Sequence, residues 1–402
     1  MNQNYITLIP TDKFKDTQFS IRFLGPNREP DITHRALLAY LMTDRSVTYP
    51  TKQAVSLKTD ELFALSFDVK VGAYGNYHVL EYRFTTLSER FAQEKHLTQA
   101  IDFALACIQT PLITLETLLE AKTNLKAALQ RIEDKPNQSA LISAMRLGGE
   151  GEPLANFSQG RLDLVDSITL EDITAAHQRL IMNDPVYIIG IGELSKEHQA
   201  YLEKMFTPKA MNLPAAYRVS TKPFKTQETT KAVKQTALVN LYATQRCYAD
   251  PDYTALRVMT YLLGQLPNSL LFTEIREKRN LCYSIYSSLV HFDGILTIST
   301  GISADQIDAV NSLIETQIER LRTSDYPLEL LESAKSLLIS NYKGLSDDVP
   351  SWMNVAFSLW LNGKSYDLSE MIDEIAKVSA QDIATAAGRL VPLSRAIVKG
   401  EA

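Results

Sequence analysis

Alternating apolar and polar positions mark two hairpins along the chain. Leu65, Phe67, Val69 and Val71 are interleaved with Ser66, Asp68 and Lys70, and Leu80, Tyr82 and Phe84 with Glu81 and Arg83, the stretch from Gly72 to Asn76 serving as the turn. A second pair runs from Tyr283 to His291, turns at Asp293-Gly294 and returns from Ile295 to Thr300. Three- and four-residue spacings predict helices instead through Leu97, Ile101, Ala104 and Ile108, and through Ile307, Val310, Ile314, Ile318 and Leu321. Strands and helices in separate runs predict an α+β fold, each sheet mostly antiparallel with helices on one face.

The pattern occurs twice. Pro30-Asp31-Ile32-Thr33 opens a helix ending Ala39-Tyr40-Leu41-Met42, and Pro251-Asp252-Tyr253-Thr254 opens another that contains Tyr261-Leu262. Thr169 to Asp172 and Ser379 to Asp382 each begin a helix with a [ST]-x-x-[DE] signature, reach Arg179-Leu180 or Arg389-Leu390, and run into a short apolar strand closed by Gly190 or Gly400. Units of about 200 residues are too long for a solenoid repeat, so two homologous domains are expected, residues 1–206 and 236–402. Residues 207–235, with Pro208, Pro214 and Pro223 and lysines at 209, 222, 225, 231 and 234, read as a solvated linker.

Composition narrows the function. Of 402 residues, 45% are hydrophobic and 22% charged, enough for large cores without disulfide or metal support. Cys107, Cys247 and Cys282 form no CxxC pair, which fits a reducing compartment. A net charge of -6 gives no field for nucleic acid, and no apolar run is long enough to span a membrane. Without a basic and apolar leader in MNQNYITLIP, residence in the cytoplasm is expected.

The six histidines, at 34, 78, 96, 177, 198 and 291, never fall at i, i+4, so no helix can offer two imidazoles to one zinc ion. A scattered metal site from His34 and His78 with Asp31 or Glu81 is the remaining alternative, against the reading of both as solvated surface residues. Cys282 is read as a buried strand cysteine rather than a nucleophile served by His291 across the hairpin. The Gly148-Gly149-Glu150-Gly151-Glu152-Pro153 loop lacks the Lys and Ser/Thr of a phosphate loop. Trp352 and Trp360 are read as core rather than as anchors for a partner.

The stretch Ser269-Leu-Leu-Phe-Thr-Glu-Ile-Arg276-Glu-Lys-Arg-Asn280-Leu-Cys-Tyr283-Ser-Ile-Tyr286 starts helix-compatible, and Asn280 can stop that helix before a strand at Tyr283. Arg276 and Tyr283 can then converge. Taken alone, Glu274, Glu277, Lys278 and Arg279 would be the solvated face of a surface helix. The string S-x-L-F-x-E-I-R-E-K-R-x-L-x-Y-S-x-Y, however, closely resembles the C-terminal-domain signature of the pitrilysin/insulinase-type zinc metallopeptidase family, whose duplicated α+β halves match the whole chain. The resemblance implies that Arg276 and Tyr283 bind substrate backbone beside the scissile bond. It also implies a zinc motif, HxxEH, on the first long helix. Aligned on Tyr49-Pro50, its positions fall on Ala36, Ala39 and Tyr40, and the third ligand's segment, Leu125 to Leu129, holds Ala127 and Ala128 but no carboxylate. The expectation is therefore a chain with no zinc or other cofactor, not a peptidase alone. By resemblance to heterodimeric members it would be the non-catalytic subunit, pairing with an HxxEH-containing homologous subunit that carries zinc. It would hold unfolded peptide, and could form a homodimer when isolated. A scaffold or a stand-alone peptide-binding protein of the same fold is the alternative.

Overall fold

The computed structural model describes residues 4–233, 235–364 and 367–400; Lys234 of the 207–235 stretch lies outside them. Strands β1 (Ile6–Pro10), β2 (Asp16–Pro26), β3 (Ser66–Tyr74), β4 (Tyr77–Leu87) and β5 (Val186–Gly192) form one sheet, in the order β1-β5-β2-β4-β3. Strands β6 (Lys225–Lys231), β7 (Thr236–Ala243), β8 (Cys282–Val290), β9 (Ile295–Ile302) and β10 (Val391–Gly400) form the other, in the order β6-β10-β7-β9-β8. Each sheet has one parallel pairing, β1 with β5 and β6 with β10, and is otherwise antiparallel. The two orders are the same plan, so the duplication read from the helix starts extends to every strand.

Local chemistry explains the elements. Thr169 and Asp172 cap one helix reciprocally, as do Ser379 and Asp382 another, each pair satisfying two otherwise orphaned N–H groups. The first hairpin runs further than the alternation suggested. Gly72 and Ala73 stay in the ladder, Tyr74 pairs with Tyr77, and the turn is confined to Gly75-Asn76, with Gly75 at φ +60°.

In the first compact unit Phe19, Ile21, Phe23, Leu80, Tyr82 and Phe84 point from β2 and β4 into an apolar core shared with the helices Asp31–Met42, Leu97–Gln109 and Leu170–Asn183. The alternate residues, Ser20, Arg22, Glu81 and Arg83, make a polar second face. Arg22 is almost fully buried there, because the helix Val349–Leu361 lies over it: Asn354 Oδ1 accepts from its Nη2 at 2.6 Å and the Phe357 ring sits 4.4 Å from its guanidinium carbon. In the second unit Asn240 and Tyr242 of β7 bond Asn311 and Glu315 of the helix Ile307–Arg322. The other face of that sheet, with Val239, Leu241, Ala396 and Val398, packs on Ala140 and Ala144 of the helix Pro136–Gly148. Each sheet thus carries its main helical layer on one face, as expected, and in addition a single helix on the other.

Those single helices are exchanged. The first unit includes Val349–Gly363 from late in the chain, and the second includes Arg131–Asn156 from its first half. Within 207–235, Lys225–Lys231 form β6, and Ala215 and Val219 are buried in the second unit.

Candidate functional site

Arg276 sits on a wide turn, Phe272–Glu277, built with i to i+5 hydrogen bonds such as Lys278 N–H to the Thr273 carbonyl at 3.0 Å. Leu271 and Ile275 are fully buried and fix that turn on the sheet. The chain then reverses at Asn280, whose φ of +53° is left-handed, a conformation asparagine tolerates better than most side chains. Strand β8 begins two residues later with a bulge: the register shifts between Cys282 and Ile285, which turns Tyr283 outward and leaves it 80% exposed.

The two side chains predicted to converge do so. The Arg276 guanidinium carbon lies 5.5 Å from the centre of the Tyr283 ring, a cation–π contact, and its Nη1 donates to Asn280 Oδ1 at 2.5 Å. Glu274 is engaged by Lys278 and Arg279 instead, which holds its carboxyl below the usual range. Arg276 and Tyr283 line a groove of about 580 Å³ with Thr236, Asn280, Cys282 and Ser303, at the end of the sheet where β7 and β8 begin and β9 stops. A second hollow of about 340 Å³ adjoins it, sharing Gln235 and Thr236 and reaching Asn137 and Gly301. Asn280, read from sequence only as a helix stop, is the residue that orients Arg276; its signal was an asparagine one helical turn beyond the arginine.

The positions aligned with the zinc motif hold nothing that ligates. Ala36 and Ala39 are buried in the first unit's core, Tyr40 is packed against it, and Leu125 and Leu129 point into the same core while Ala127 is exposed. These residues do not fit a zinc ion, and among the described residues no cluster of three or more His, Cys, Asp or Glu could hold a metal.

The scattered alternative is not assembled either, but the surface reading of its histidines is corrected. His34 and His78 are both buried, because their polar neighbours are satisfied inside the fold: Thr33 bonds Glu29, and Arg35 pairs with Asp184. Burial, with the nearby Arg35 charge, pushes the His78 imidazole down to about 3, and its Nε2 donates to the Ser158 carbonyl at 2.8 Å. Glu81, though desolvation opposes it, is held down at about 2 by Arg22 and Arg83. Cys282 is a buried thiol whose pKa burial raises. His291 lies just past the far end of β8 from Cys282, roughly 30 Å along the strand, and bonds Tyr253. Trp360 lies on the exchanged helix, stacks on Tyr187 at 4.6 Å and donates to the Asn4 carbonyl; Trp352 is half-buried on the same helix.

The chain thus repeats one α+β plan, carries an Arg–Tyr pair at a groove, and has buried alanines at two of the positions aligned with the zinc motif. Residues 167–338 match the family model described as the Peptidase M16 inactive domain. Over that stretch the chain is similar to inactive members of the M16 peptidase family. It is 24% identical to the probable inactive metalloprotease YmfF of Bacillus subtilis over 345 residues, covering 82% of this chain and 80% of that one. The non-peptidase homolog YmxG of Helicobacter pylori is 21% identical, over 78% of this chain and 76% of its own length. Among solved structures, a conserved protein from Enterococcus faecalis superposes with a TM-score of 0.92 at 27% identity, covering 98% of this chain and 96% of that one. Among the described residues no helix is long and apolar enough to cross a membrane.

Proposed function

We propose that this chain is the non-catalytic subunit of a heterodimeric zinc metallopeptidase, holding unfolded peptide and completing the partner's active site with Arg276 and Tyr283. The observation that carries the reading is the convergence of these two side chains on one open groove, in a chain whose zinc positions are packed as core. Guanidinium and phenol both donate hydrogen bonds, which suits a peptide carbonyl and the oxyanion that develops from it. Strand β8 is a sheet edge beside the pair, so its unpaired backbone groups suit an extended peptide. The zinc ion belongs to an HxxEH-bearing homologous subunit, and the pair works in the cytoplasm.

The test is reconstitution. Alone, the purified chain is expected to bind no stoichiometric zinc and to cleave nothing. Mixed with an HxxEH-bearing relative it restores peptidase activity, and Arg276→Ala or Tyr283→Phe lowers the restored kcat about 10²-fold, the size of one lost oxyanion donor. Cleavage by the isolated chain would overturn the proposal. Full activity with Arg276→Ala would favour a scaffold, and peptide binding as a homodimer without rescue would favour a stand-alone binder.

A further inference from the structure

The charges around Arg276 are arranged unevenly. Its neighbours in sequence are neutralised in place, Lys278 and Arg279 both resting on Glu274. Arg276 itself makes no ion pair among the described residues. Its partners are the neutral Asn280 amide oxygen and the face of the Tyr283 ring. A neutral acceptor orients a guanidinium without cancelling its charge, and only one of the five N–H groups is used in doing so.

Among the described residues that charge has no counter-charge at the site: no Asp or Glu of theirs lines the groove or the hollow that adjoins it, and Arg276 is the one described Lys or Arg in the lining. Asp305, one residue beyond the Ser303–Ala304 wall, is bonded by Gln306 at 2.7 Å and is not part of the lining. The remaining polar groups, on Gln235, Thr236 and Ser303, are neutral. About 580 Å³ is also more space than a single backbone carbonyl fills.

We infer that the groove beside Arg276 is a carboxylate subsite, so that this chain prefers peptides presenting an Asp or Glu side chain or a free C-terminus there. The inference rests on the peptide-holding reading above and adds a chemical selection to it. An arginine edge takes a carboxylate through two parallel N–H donors, and such charge-assisted bonds are roughly twice as strong as those to a neutral amide.

Four dye-labelled decapeptides of one otherwise uncharged sequence test it by fluorescence anisotropy on the full chain: central Asp or Asn, each with a free or an amidated C-terminus. Expected is binding about tenfold tighter for the carboxylate-bearing peptides than for the Asn peptide with an amidated end. The Asp peptide with an amidated end and the Asn peptide with a free end then separate side chain from terminus. Asn280→Asp, which places a carboxylate within the protein's own reach of Arg276, is expected to abolish the preference with an unchanged thermal melt. Equal affinity for all four peptides, or a preference that survives Asn280→Asp, overturns the subsite but leaves the peptide-holding reading standing. No measurable binding of any of the four overturns both.

Discussion

Ala36 is 2% and Ala39 8% exposed, and Ala36 packs in the core with Leu37, Leu41 and the helix Leu97–Gln109, so restoring a zinc motif means inserting large polar groups at buried positions that hold small apolar ones. The triple variant Ala36→His, Ala39→Glu, Tyr40→His is expected to lose about 1–3 kcal/mol of stability at each overpacked site. It should also bind no stoichiometric zinc, since the Leu125 to Leu129 segment offers no carboxylate; tight stoichiometric binding in a zinc titration would show a ligand supplied from elsewhere. His78 gives a pH prediction. Its folded pKa of about 3 lies below the ordinary imidazole value of about 6.5, so the neutral form is favoured by folding. That contribution is intact above pH 6.5 and is lost as pH falls toward 3, amounting to roughly 3 kcal/mol by pH 4. His78→Gln keeps a donor for the Ser158 carbonyl, and should flatten the fall in urea-unfolding free energy between pH 6.5 and 4. An unchanged slope would place the acid sensitivity on other groups. At this scale the convergence of Arg276 and Tyr283 was legible, from a helix end followed closely by a strand start. The burial of His34 and His78 was not: the polarity of their sequence neighbours suggested solvent, whereas those neighbours find buried partners from distant segments.

Elements were legible where their signal is local. Both capping boxes are present, and the alternating hairpins form β3 with β4 and β8 with β9. Strand β6, Lys-Thr-Gln-Glu-Thr-Thr-Lys, carries no apolar residue and is mostly exposed; it exists through its backbone pairing with β10, which side-chain periodicity does not report. The wide turn at Phe272–Glu277 is also invisible to a 3.6-residue pattern. A second turn of the same kind, Tyr261–Gln265, makes a prediction of its own. A Cβ at Gly264 would stand 2.6 Å from the Ser287 backbone nitrogen and 2.7 Å from its Oγ, which itself donates to the Thr260 carbonyl. Gly264→Ala must therefore push β8 away from the turn, at a cost of about 1–3 kcal/mol, and should weaken peptide binding at Tyr283 on the same strand. Gly388, with open space around its Cβ position, is the control. There alanine should be neutral or stabilising by up to about 1 kcal/mol, and equal melting temperatures for the two variants would remove the packing argument.

At the scale of the molecule the second repeat of elements begins with β6, inside the stretch read as a linker, and an amphipathic pattern says only that a helix buries a face, not which sheet receives it. The helices Pro136–Gly148 and Val349–Leu361 each serve the unit built mainly from the other part of the chain. Their fit is specific at both ends of the exchange. Phe357, fully buried, lies against Arg22 and Tyr187, while the Ser394 hydroxyl donates to the Ala144 carbonyl at 2.7 Å and Gly148 leaves just enough room for it. Truncating Phe357 to alanine is expected to cost about 3–5 kcal/mol, the usual range for an aromatic removed from a core. The exchange makes a stronger prediction about folding. Residues 1–206 made alone lack Asn354 and Phe357, so Arg22, 1% exposed in the intact chain, faces water on a sheet surface that also uncovers Tyr187. Such a fragment should aggregate, or melt without a cooperative transition, whereas 1–206 and 207–402 produced together as separate polypeptides should co-purify and melt cooperatively, each half receiving its missing helix from the other. A monomeric 1–206 fragment with sharp, dispersed amide resonances and a cooperative melt would show that the borrowed helix is dispensable, and that the consecutive halves are independent folding units after all.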